Sequence, residues 1–187
     1  MGGGQAEGAH AAATRLITRG VSGLVSFGLA GGLDPALEPG AILVPPVVLF
    51  ETGRWDADPT LMECLGGPTS GALYGGGQIL ATSAAKAALH ARTGAVAVDL
   101  ESAAVAHAAR QHGLPFAALR AVCDSASRDL PQAALVALDA AGQIGVWRVG
   151  SAVLAHPGQI PALIRLAGDA ARARNMLVTR IRALGRL

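Results

Sequence analysis

The chain has 187 residues, of which 51% are hydrophobic, 15% charged and 3% aromatic, with a formal net charge of +2. That length suits one domain whose core is built from Ala, Val, Leu and Ile, and the composition argues against intrinsic disorder. The basic residues after Pro161 have no aromatic residues among them, and the charge balance does not suggest a nucleic-acid-binding surface across the whole domain. Residues 21–33 and 41–50 are uncharged but too short, or too broken by Gly and Pro, to span a bilayer. Residues 1–7 carry neither a basic nor an apolar leader segment, and Ala6 stands where a myristoylation signal needs Ser or Thr, so the cytoplasm is the expected compartment. Cys64 and Cys123 have no metal-ligand or redox spacing, and reduced thiols are expected.

Residues 10–19 read as a short helix, followed by an apolar strand over 21–27 and at once by the Gly-rich turn Gly28-Leu29-Ala30-Gly31-Gly32-Leu33. Residues 41–50 form a second apolar run, with Pro45 and Pro46 placing its second half at an edge or bulge. Residues 66–77 read as a loop. A helix over 83–92 capped by Ser83, a buried strand over 95–100, an Ala-rich helix over 101–112 ended by Gly113 and a strand over 115–122 complete an α/β alternation. The pattern predicts a largely parallel sheet with helices on both faces. Residues 160–187 carry Leu163, Leu166, Ala170, Leu177, Ile181 and Leu184 at helical spacing, with Arg165, Arg172, Arg182 and Arg186 tending to the other face. Such a helix packs on the sheet with its basic face in solvent; attraction to a membrane surface is the sharper alternative.

In open α/β sheets ligands bind beyond the carboxyl ends of strands, which selects three places. The Gly28–Gly32 turn lets backbone N–H groups approach a ligand, although the dinucleotide-binding G-x-G-x-x-G spacing is absent. Glu101 follows a strand and opens a helix, where a carboxylate gains from the helix dipole and can accept hydrogen bonds from two vicinal ribose hydroxyls; the alternative is a carboxylate serving only its own helix. Asp124 follows the next strand, 23 residues after Glu101. One α/β unit separates the two, so both carboxylates should emerge at neighbouring strand ends on one rim. Such a pair suits cleavage at an anomeric carbon, one group protonating the leaving group while the other orients the sugar. Asp99 is either a partner of Glu101 on one face or a salt-bridged structural residue. Cys123 reads as a small buried residue rather than a nucleophile, and His107 and His112, five apart on a helix, do not share a face as metal ligands would. No metal site and no cofactor are expected.

Three blocks, Ser26-Phe27-Gly28-Leu29-Ala30-Gly31-Gly32-Leu33, Ala97-Val98-Asp99-Leu100-Glu101-Ser102-Ala103-Ala104-Val105-Ala106 and Leu114-Pro115-Phe116-Ala117-Ala118-Leu119-Arg120-Ala121-Val122-Cys123-Asp124, resemble in order and spacing the signatures of the purine nucleoside phosphorylase and methylthioadenosine nucleosidase superfamily. More narrowly, Gly31-Gly32-Leu33-Asp34-Pro35-Ala36-Leu37, Thr93-Gly94-Ala95-Val96-Ala97-Val98-Asp99 and His156-Pro157-Gly158-Gln159-Ile160-Pro161-Ala162-Leu163 resemble its hopanoid-associated branch. The resemblance implies a three-layer α/β/α domain over residues 1–187 with a mixed central sheet. It implies Asp124 as the acid protonating the purine at N7. It also implies Glu101 on the ribose hydroxyls, and Leu100, Gly28, Leu29, Ala30, Gly31 and Arg120 as further substrate-binding residues. In the hopanoid branch the substrate is similar to adenosylhopane, which loses adenine to phosphate, and the family's members are usually oligomers. The implied partners are thus a nucleoside, lipid-linked in that branch, further copies of the chain and, through the basic helix, the inner membrane surface.

Two departures qualify the resemblance. Family members open with a strand and a Gly-Leu-x-x-Glu-Ala segment that contacts phosphate or water, whereas this chain opens at Gly2-Gly3-Gly4; a missing first strand is expected. The family's phosphate-binding Arg and hydroxyl residue have Ser26 and Leu29 in their places. Hydrolysis of a methylthioadenosine-like nucleoside is therefore the alternative to phosphorolysis. A truncated member that binds without catalysing is a third reading, since a lost strand leaves a sheet edge unpaired.

Overall fold

The computed structural model describes residues 6–51, 53–137 and 157–184, so the readings placed on Gly2-Gly3-Gly4 and His156 lie outside the described residues. In chain order the elements are α1 (Ala6–Ile17), β1 (Leu24–Gly32), β2 (Ile42–Leu43), β3 (Val47–Phe50), β4 (Gly53–Asp56), α2 (Pro59–Cys64), β5 (Ala72–Gly75), α3 (Ser83–Thr93), β6 (Ala95–Asp99), α4 (Ser102–Gln111), β7 (Phe116–Asp124), α5 (Gln132–Ala137) and, after a 3-10 turn at Pro157–Gln159, α6 (Ile160–Leu184). The strands form one sheet in the order β2-β7-β1-β6-β5-β3-β4. β1 runs parallel to β7, β5 to β6 and β3 to β5, while the β2/β7, β1/β6 and β3/β4 pairs are antiparallel. The sheet is mixed, with more antiparallel pairing than strand–helix alternation alone suggests: β4 returns on β3 without a helix between, and β2 and β6 run against β7 and β1.

Helices cover both faces. On one, α1 and α4 bury Ala13, Ala103, Ala106 and Ala109 against Leu24, Ala30, Ala97, Ala118 and Val122. On the other, α2 and α6 bury Met62, Ala173 and Leu177 against Ala117, Leu119 and Ala121 of β7, while Leu89 of α3 meets Leu33, Ala95 and Val98. Small side chains bring α4 close to the sheet: a Cβ on Gly75 would stand 2.6 Å from the Ala103 backbone nitrogen. Helix α6 thus packs on the sheet. Ala173 lies at its contact, and Ile181, expected on the apolar face, is exposed.

Four expectations need correction. Residues 28–32 are not a turn but the end of β1, and neither Gly28, Gly31 nor Gly32 has a positive φ. Glycine is required there by close approach, since a Cβ on Gly32 would lie 2.9 Å from the Asp124 carbonyl oxygen. The run 41–50 divides at Pro45-Pro46 into two strands at opposite ends of the sheet; the first half, β2, is the edge, and the second, β3, lies inside between β4 and β5. The loop expected over 66–77 contains β5, an interior strand only four residues long whose burial alternates. Helix α3 is capped by Thr82, whose hydroxyl accepts the Ala85 N–H, while Ser83 turns to Asp129.

Candidate active site

Strand β1 carries the site because it lies between the two strands that bear the acidic residues. Gly31 is the Cα partner of Val98 on β6 and of Asp124 on β7, so these three residues form one row across the sheet. Neighbouring strands are about 4.8 Å apart, which sets β6 and β7 about 10 Å apart with only hydrogen-sized side chains at Gly31 and Gly32 between them. The expected single rim of strand ends is replaced by this row. β6 and β7 are not adjacent and run in opposite directions, so Asp99 ends its strand one residue beyond the row while Asp124 ends its own within it.

A β-bulge decides where Asp124 points. Ala30 pairs with Val122, but Gly31 pairs with Asp124, which leaves Cys123 as the extra residue on β7. In a regular strand Arg120 and Asp124, four residues apart, would share a face. The extra residue turns Asp124 to the opposite face, a common use of bulges beside active sites. The contacts agree: Arg120 meets residues of β1, β6 and α4, whereas Asp124 meets Lys86 of α3, and its Oδ1 lies 3.2 Å from where a Cβ on Gly31 would stand.

Asp124 is 8% exposed, and its Oδ2 accepts a 2.5 Å hydrogen bond from Lys86 Nζ within a buried ion pair. The Cys123 thiol donates to Oδ1 at 3.3 Å. Burial first, and the adjacent Asp124 carboxylate second, push that thiol far above its ordinary range, so it stays protonated and is no nucleophile. Lys86 escaped the sequence reading. The available signal was compositional: it is the only lysine in a chain with fourteen arginines, and it falls on the helix preceding the Asp99-Leu100-Glu101 block.

Beneath the opposite face lies a closed polar network. Arg120, 2% exposed, forms an ion pair with Asp99, and its Nη2 donates to Ser26 Oγ at 2.5 Å and Ser102 Oγ at 2.9 Å. Asp99 accepts the Ser102 hydroxyl at 2.7 Å and the Ser102 backbone N–H at 3.2 Å, which caps helix α4. Of the two readings of Asp99, the salt-bridged structural residue is the one found. Glu101 occupies the N-cap position of α4 without a capping hydrogen bond from its side chain, since Asp99 serves that helix end. Leu100 lies between Asp99 and Glu101, just past the end of β6. Gly28 faces Arg120, and Ala30 is buried one residue before the row. Leu29 is 39% exposed, on the face that Asp124 joins.

A cavity of about 500 Å³, lined by Arg54, Trp55, Asp58, Arg110, Leu114 and Phe116, sits at the other end of β7. Phe116 and Asp124 are eight residue steps apart along β7, about 26 Å at 3.3 Å per residue, so this cavity lies away from Asp124. Among the described residues no group of three or more His, Cys, Asp or Glu is placed to hold a metal ion.

Residues 57–149 match the family model of the phosphorylase superfamily. No curated protein matches the sequence. Among solved structures the fold is similar to Helicobacter pylori 5′-methylthioadenosine/S-adenosyl homocysteine nucleosidase, with a TM-score of 0.64 and 16% identity over 96% of this chain and 76% of that one. It is similar to the MTA/SAH nucleosidase of Colwellia psychrerythraea in complex with adenine, with a TM-score of 0.62 and 22% identity over 78% of this chain and 74% of that one. Futalosine hydrolase of Helicobacter pylori gives a TM-score of 0.62 and 19% identity over 80% of this chain and 75% of that one. Against a further Helicobacter pylori nucleosidase structure the chain spans 66% of that protein's length. At these identities the shared property is the fold.

Proposed function

This chain belongs to the phosphorylase superfamily, and from that premise we propose that it cleaves the N-glycosidic bond of a purine nucleoside, with Asp124 protonating the leaving base at N7 and Glu101 holding the ribose hydroxyls. The observation that carries the reading is the row Val98–Gly31–Asp124: a bulge aims a buried carboxylate across a strand that has no side chain at the crossing point, where a ligand can approach the backbone. The solved structures of similar fold include enzymes named as nucleosidases, one holding adenine, which supports adenine as the leaving group.

We further propose that the nucleoside carries an apolar substituent, as adenosylhopane does. Val25, Phe27 and Leu29 alternate with buried residues along β1 and are 36%, 45% and 39% exposed, forming an apolar track on the face of Gly31. Helix α6 covers the β7 residues beside this track, and its exposed arginines support contact with an anionic membrane surface. For the second reactant, phosphate follows from the branch resemblance, whereas one feature favours water: Ser26, at the family's phosphate-binding Arg position, is engaged by Arg120 in the closed network.

The test is adenine release, measured by chromatography, from adenosylhopane, 5′-methylthioadenosine and adenosine, each with and without phosphate. Asp124→Asn should lower the rate by about 10²–10⁴, the usual contribution of a general acid. No adenine from any of the three nucleosides, or an undiminished Asp124→Asn rate, overturns the reading. Phosphate dependence separates phosphorolysis from hydrolysis.

A further inference from the structure

Resting on the reading of Asp124 as the acid, we propose that Lys86 is the positioning residue of the reaction, holding the Asp124 carboxyl in place and bearing the charge that forms on it. Lys86 is 1% exposed, and an ammonium group taken out of water is costly unless fully paired. Its three N–H bonds are all used: Nζ donates to Asp124 Oδ2 at 2.5 Å, to the Ser125 carbonyl at 2.8 Å and to the Arg128 carbonyl at 3.1 Å. A compact ammonium with three donors suits acceptors arriving from three separate points, which the planar fork of arginine does not. That distinction gives a reason for the one lysine in a chain that elsewhere uses arginine for its basic residues.

The two carbonyls come from the backbone of the segment after β7, so they fix the ammonium independently of Asp124. That segment is fastened to the start of α3 and to the chain just before it: Asp129 accepts the Ser83 N–H at 2.7 Å and the Ser83 hydroxyl at 2.8 Å, and the Leu130 N–H donates to the Ala81 carbonyl at 2.7 Å. The third N–H of Lys86 therefore points along a direction the fold has set, and Oδ2 is held on it, with Oδ1 turned toward Gly31. When the protonated acid gives its proton from Oδ1 to the base nitrogen, the O–H bond breaks and an N–H bond forms. The carboxylate left behind faces an ammonium that has no need to move, and such preorganised charge stabilises a transition state more than it stabilises the neutral acid before it. The contact between Lys86 Nζ and Asp124 Oδ2 is the arrangement that step would leave in place.

The experiment compares wild type, Lys86→Met, Asp124→Asn and the double variant on the nucleoside that wild type cleaves, with folding checked by thermal unfolding. Lys86→Met should lower kcat by about 10²-fold, the scale for losing one preorganised donor, and leave KM unchanged. In the Asp124→Asn background the same substitution should cost nothing further, because Lys86 acts through that carboxyl. An unchanged kcat in Lys86→Met, or an equal loss in both backgrounds, overturns the proposal. Because Lys86 is the only lysine, ¹⁵N-lysine labelling yields one side-chain ammonium signal, which needs no Lys86 variant to fold. That signal should be protected from solvent exchange in wild type and shift in Asp124→Asn; a signal exchanging freely in wild type overturns the pair. Wild type that releases no purine would overturn the proposed function, while the ammonium signal still tests the pair on its own.

Discussion

Gly28 and Arg120 are partners across β1 and β7, and a methyl group at position 28 would stand 2.5 Å from Arg120 Nη1. The guanidinium cannot swing aside, because its Nη2 is held by Asp99, Ser26 and Ser102. Gly28→Ala should therefore destabilise the fold by about 1–3 kcal/mol, the usual cost of overfilling a packed interior. Urea denaturation measures it. A midpoint equal to wild type would show that the network has room to shift.

Asp99 and Arg120 are 7% and 2% exposed, and Arg120 Nε has no hydrogen-bond partner among the described residues. Removing one charge from a buried pair leaves the other uncompensated, at a cost of about 3–5 kcal/mol. Asp99→Ala should lose that much stability, and Asp99→Ala combined with Arg120→Met should recover most of it. If the double variant is as unstable as the sum of the singles, the loss comes from the cap on α4 rather than from the stranded guanidinium.

The difference between the legible and the hidden parts of this fold lies in what local pattern can encode. Helix α4 and strands β6 and β7 were readable because each has the length and periodicity of its type and a clear stop, such as Gly113 with φ +64°. Strand β5 was not, because Ala72–Gly75 is four residues long and flanked by glycines, and its strand character comes from pairing with β3 and β6. Gly28–Gly32 read as a turn because glycine is the commonest turn residue; only Arg120 and Asp124, distant in sequence, reveal that these glycines make room within a strand. Asp124 and Glu101 stood out by position after strands. Lys86 did not, since a lysine inside an amphipathic helix ordinarily lies in solvent, and its burial follows from contacts 38 residues away or more.

The two thiols should differ in the native state. Cys64 is exposed, whereas Cys123 is held protonated by burial and by the neighbouring Asp124 carboxylate. Reaction with a thiol reagent at neutral pH should label Cys64 rapidly and Cys123 only on unfolding, as read by peptide mass mapping. Equal labelling of both would refute the packing at the bulge.

Asp129 gives a pH signature. Hydrogen bonds first from the Ser83 backbone N–H and then from its hydroxyl hold the Asp129 carboxyl below its ordinary value of 3.8. A carboxylate with a lowered folded-state value contributes stability that is complete above the unfolded value and lost as pH falls through the folded one. The gap in Tm between wild type and Asp129→Asn should thus be full at neutral pH and close in acid below 3.8. A gap that persists unchanged to the lowest pH at which the fold survives would assign the effect to packing instead.

Helix α6 divides its arginines between two tasks. Arg172 and Arg180 lie over Gly40 and Gly66, which have no side chain in the way, and so fasten the helix to the turns after β1 and α2. Arg165, Arg174 and Arg182 are exposed, and Ile160 and Ile164 beside Arg165 are 40% and 66% exposed. Exposed basic residues with apolar residues at the start of the helix can hold it to an anionic bilayer, at about 1 kcal/mol for each basic residue near the surface. Neutralising Arg165, Arg174 and Arg182 to Gln should weaken sedimentation with phosphatidylserine vesicles roughly 10²-fold at low salt, following those three contributions. The wild-type interaction should also fade as salt shortens the screening length below about 10 Å. Equal sedimentation of wild type and variant would refute a membrane role for these arginines, whereas losing the fold's stability only on substitution of Arg172 and Arg180 would confirm the division of tasks.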